Sequence, residues 1–66
     1  MLSYDEVSPT TKYAVMVFQQ LIRAERRVER LRLLLDEVVK RIPFNELKWY
    51  VEQTRLIEMK YEKEGV

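Results

Sequence analysis

Arg23, Arg26, Arg27, Arg30 and Arg32 fall within ten consecutive residues of a 66-residue chain. Arginines at that density have one evident chemistry: their planar guanidinium forks capture carboxylate or phosphate oxygens in pairs. Other reactive groups are scarce. The chain has no His and no Cys, which removes the usual acid–base residue near neutral pH, the thiolate nucleophile and the two commonest metal ligands. Ser3, Ser8, the threonines and the lysines have nothing nearby to activate them. The carboxylates are dispersed, and most have a Lys or Arg three or four residues away, as solvated surface charges do. No Glu-x-x-His pair marks a di-metal helical bundle. The expectation is therefore a protein without catalytic residues, metal or cofactor.

Whether the arginines bind anything depends on the element that carries them. RAERRVERLRLLLDEVVKRI (residues 23–42) has an apolar residue every three or four positions. Extended upstream, the register runs through Ala14, Val17, Leu21, Ala24, Val28, Leu31, Leu35, Val38 and Ile42. Spacings of three and four sustained this long describe a coiled-coil seam. On that wheel Arg23, Arg26, Arg27 and Arg30 share the face opposite the seam, and Arg32 flanks it. They form a basic band whose Arg23–Arg27 and Arg26–Arg30 pairs repel at i,i+4. Its ordinary state is a solvated face. Its functional use would be contact with an acidic partner or a phosphate backbone.

The punctuation of the chain sets the helix ends. Ser8 is placed to cap and Pro9 fits the first helical position, where a missing N–H costs nothing. No breaker follows until Pro43, so one helix is expected over 9–41, about 50 Å long at 1.5 Å per residue. Residues 42–45 supply a turn, with Asn45 as a cap and Glu46 in the first turn of a second helix over 46–64, terminated by Gly65. Residues 1–7 read as a flexible N-terminal arm, and 8–66 as a single domain. The fold class is all-α: a long helix–turn–helix hairpin, coiled-coil-like, assembling into a dimeric helical bundle.

Assembly is expected because so short a chain usually needs a staple and has no disulfide to provide one. Residues 13–22 are also apolar on more than one side. Beside the seam, Val15, Phe18 and Ile22 form a second patch, so two partners are needed to cover this stretch. In a closed hairpin the long arm overhangs the short one. This assigns an oligomer interface to Tyr13, Ala14, Val15, Val17, Phe18, Leu21, Ile22 and Val28. Trp49 and Leu56, seven residues apart on the second helix, project from its far side as a candidate partner contact.

Twelve Lys and Arg against eleven Asp and Glu leave a net charge of +1, too little for a wholesale polyanion binder. The basic band lies within the seam rather than ahead of it, unlike a basic zipper region. No aromatic residues interleave with the arginines to stack single strands. MLSYDEV carries two acids where a secretion signal needs a positive start, and YAVMVFQQLI is too short to cross a bilayer. Together these features point to a cytoplasmic, non-enzymatic interaction module: a homodimeric helical hairpin that adapts, inhibits or scaffolds another protein, with no membrane partner. Small accessory proteins of phages and mobile elements are often of this kind. The second reading is a nucleic-acid-binding bundle that grips a phosphate backbone with the Arg23–Arg30 band.

Overall fold

The computed structural model describes residues 2–64. The described residues are all-helical, with three helices packed together: α1 (Pro9–Arg23), α2 (Glu29–Val39) and α3 (Leu47–Glu64). Single 3-10 turns at Tyr4–Glu6 and Phe44–Glu46 precede α1 and α3. Gly65, the expected terminator, lies outside the described residues.

The expected helix over 9–41 is broken. Pro9 does open α1, with Ser8 extended before it, and the second break falls at Pro43 as expected, α2 ending at Val39. Between them the chain reverses at residues 24–28 with neither Gly nor Pro. Glu25 and Arg26 take positive φ angles of 55° and 60°, the left-handed region that usually calls for glycine. The amide of Arg26 donates to the Leu21 carbonyl at 2.8 Å and that of Glu25 to the Ile22 carbonyl at 3.0 Å. These two crossed bonds are the Schellman closure of a helix C-terminus, with Glu25 where glycine is customary. Val28 then starts α2 from an extended conformation with no side-chain cap.

Magnitudes explain why the chain folds back. Two left-handed non-glycine residues cost roughly 1–2 kcal/mol each. Reversal lets α2 and α3 both cover α1, burying Val17, Phe18, Leu21 and Ile22 to 8% exposure or less. Each such side chain contributes roughly 1.5–3 kcal/mol, so burial outweighs the strain. The break also falls where a straight helix would stack Arg23 on Arg27 and Arg26 on Arg30, and it removes both repulsions.

α1 is the central helix. Ala14 meets Val38 and Ile42, with Leu34, Leu35, Val39, Leu47 and Tyr50 packed around them. Leu21 shares a groove with Leu33 and Leu35 of α2, whereas Ile22 shares one with Ile57 and Tyr61 of α3. Residues 13–22 thus have the two partners their apolar faces require, and both belong to the same chain. The topology is up–down–up. Ser8 and Thr11 meet Glu46 at one end, and Arg26 meets Glu58 at the other, so α3 runs parallel to α1. It does not pair antiparallel with residues 21–41, as the hairpin required.

Within the expected arm, Val7 and Tyr4 are held against the helices. Val7 is 3% exposed. The Tyr4 ring lies 6.4 Å from that of Trp49, tilted by 52°, and the Lys12 ammonium sits 4.4 Å above the Tyr4 ring centroid, within cation–π range. The Cα trace measures 33 × 25 × 15 Å.

Candidate interaction surfaces

The expected oligomer strip is mostly consumed inside one chain. Ala14, Val17, Phe18, Leu21 and Ile22 are buried against α2 and α3, and Val15 is half-buried. Only Tyr13, at 43%, and Val28, at 40%, remain exposed. The strip lost its overhang when the long helix folded on itself: a side chain expected to wait for another subunit found α3 instead.

The arginine band dissolves for the same reason. Arg23 ends α1, Arg26 and Arg27 lie in the turn, and Arg30 belongs to the first turn of α2, so the four share no helix face. Acidic neighbours occupy two of them. Arg26 reaches Glu58 at 3.2 Å and Arg27 reaches Glu25 at 3.2 Å. Both pairs are largely exposed and contribute little stability. Arg23 also sits at the C-terminus of α1, where a cation offsets the helix dipole.

On α3, Trp49 and Leu56 part company. Trp49 is half-buried beneath the N-terminal segment, while Leu56 is 58% exposed. Met59, unremarked in the sequence, lies one turn beyond Leu56 and is 59% exposed. It falls about 60° from Leu56 at 100° per residue, on the side away from buried Thr54. Leu56 and Met59 therefore form an outward apolar step with Trp49 at its rim. Phe44, 89% exposed, projects from the turn before α3. Its preceding proline advertised a loop, but nothing indicated that an aromatic would be left in solvent.

One polar cluster is built rather than exposed. Glu46, 7% exposed, accepts three hydrogen bonds on Oε1: from the Ser8 amide at 3.1 Å, the Ser8 hydroxyl at 2.8 Å and the Thr11 hydroxyl. The Thr11 bond above all, then those from Ser8, hold its carboxyl below the usual carboxylate range against the opposing effect of burial. Ser8 is thus the cap residue by position but does not cap with its own hydroxyl. The carboxylate of Glu46 closes the N-terminus of α1 from across the fold, rather than serving its own helix. Asn45, expected as that helix's cap, is exposed within the 3-10 turn. An ionised carboxylate saturated by donors holds helices together and is a poor proton carrier. Among the described residues no three His, Cys, Asp or Glu side chains gather to hold a metal. No described helix is long and apolar enough to cross a membrane.

The chain matches no protein-family model, no curated protein and no solved structure.

Proposed function

We propose that the chain is a non-enzymatic protein-interaction module that works as a homo-oligomer and offers the outer face of α3, at Leu56 and Met59, to a protein partner. The observation that carries this proposal is surface area. The chain exposes 5351 Å², against about 4,500 Å² expected for a compact monomer of its mass. A surface larger than a compact monomer of this mass presents is consistent with one that is partly covered on association. Large apolar side chains make up part of it: Tyr13, Val28, Leu33, Leu56 and Met59 are all between 40% and 61% exposed.

The second reading remains a nucleic-acid-binding bundle that grips a phosphate backbone with the Arg23–Arg30 band; the carboxylates facing Arg26 and Arg27 weigh against it.

Light scattering coupled to size exclusion, with wild type and Leu56→Glu side by side, tests the proposal. Expected are an oligomer for both proteins and unchanged helicity. A monomer at hundreds of micromolar overturns the homo-oligomer. Loss of the oligomer in Leu56→Glu alone overturns the assignment of that face to a different protein, since the face would then join two copies.

A further inference from the structure

We infer that residues 24–28 are a hinge, and that two copies of the chain exchange α2 and α3 by straightening it. The inference rests on the homo-oligomer proposed above and specifies how the copies join.

Three observations carry it. First, the turn is held against local preference, with consecutive left-handed residues at Glu25 and Arg26 and no side-chain cap at Val28. Strained hinge loops of this kind favour exchange of elements between copies. Second, the apolar register continues through the turn as Leu21, Ala24, Val28 and Leu31, yet Val28 is left 40% exposed. The closed chain leaves this seam position only partly covered. Straightened, Ala24 and Val28 lie at the centre of one helix from Pro9 to Val39, facing the same residues of a second copy across a two-fold axis. Third, α1 and α2 already pack antiparallel: Tyr13 of α1 shares a groove with Leu34 and Val38 of α2. The α2 of a second copy, arriving on a straight antiparallel helix, makes those same contacts. α3 follows α2 and brings Glu46 to the Ser8 and Thr11 of the other chain. The Arg26–Glu58 pair, exposed on both sides, opens at little cost.

The straight form restores the Arg23–Arg27 and Arg26–Arg30 repulsions. Salt screens such exposed charges, so the exchanged dimer gains population as ionic strength rises.

The test is an intrachain distance. Thr10 and Glu37 line one groove in the closed chain. In a straight helix they stand 27 residues, or about 40 Å, apart. The chain has no native cysteine, so Thr10→Cys/Glu37→Cys can be spin-labelled and mixed with a tenfold excess of unlabelled protein, leaving only intrachain distances visible. The expected result is a separation of about 40 Å in the dimer fraction and a short one in the monomer. A companion variant, Glu25→Gly/Arg26→Gly, eases the turn and penalises the straight helix. It is expected to raise the dimer dissociation constant by about 10- to 100-fold at unchanged monomer helicity. A dimer that keeps the short distance overturns exchange while leaving self-association intact. A chain monomeric under all conditions overturns both.

Discussion

Glu46 shows how much one side chain can organise in a fold this small. A single carboxylate oxygen gathers Ser8 and Thr11 from 35 to 38 residues away and fixes α3 against α1. Its carboxyl is held below the ordinary glutamate value of about 4.5 by those donors. The folded state therefore binds the proton less readily than the unfolded one. The resulting stability is present above about pH 4.5 and is lost as pH falls through the lowered folded value. Glu46→Gln should flatten this acid limb in thermal melts between pH 3 and 6, and Thr11→Val should do so in part. An unchanged limb in both variants would assign acid sensitivity to other carboxylates. The arginines lie at the opposite extreme. Arg26→Gln/Arg30→Gln should alter stability by less than about 0.5 kcal/mol in chemical denaturation, since exposed pairs contribute little. A loss of several kcal/mol would mean that the turn depends on Arg26–Glu58.

At the scale of elements, α1 is covered on two sides, and the consequence is unequal tolerance. Ile22→Ala opens a cavity beside α3 and should cost about 2–5 kcal/mol, comparable with the whole stability of so short a chain. Leu33→Ala, at the open rim of the groove it shares with Leu21 and 61% exposed, should cost far less, about 0.5 kcal/mol. Urea titrations of the two variants measure the contrast, and similar losses would mean that Leu33 is covered in solution. The helix ends made by prolines were legible in the sequence, because Pro9 and Pro43 act locally whatever surrounds them. The doubled apolar character of residues 13–22 was legible too. The turn was not. Its closure uses backbone bonds to Leu21 and Ile22 and places Glu25 where glycine would have announced it. Only the paired arginine repulsions marked that place, and a solvated helix face tolerates such pairs at small cost. An unbroken helix implies an overhang and assigns Phe18 to another subunit, whereas the reversal places Phe18 in the core of one chain. Glu46 was missed as a staple because its partners lie far off in sequence, and spacing rules see only neighbours.

For the molecule as a whole, the up–down–up course leaves one helix between two others and much of the chain in contact with solvent. If two copies exchange, light scattering across a dilution series should show dissociation accompanied by little loss of helicity, because the closed chain keeps all three helices. Cooperative unfolding on dilution would instead mean that the monomer has no stable fold. The large apolar side chains left exposed have a calorimetric corollary. Heat capacity rises on unfolding in proportion to the apolar area newly hydrated, about 12–15 cal/mol/K per residue for ordinary domains, or roughly 0.8–1.0 kcal/mol/K for a chain of this length. A fold that leaves this much apolar surface wet has less to hydrate, so its increment should fall below that range. Its stability then varies little with temperature, and its melting is broad rather than abrupt.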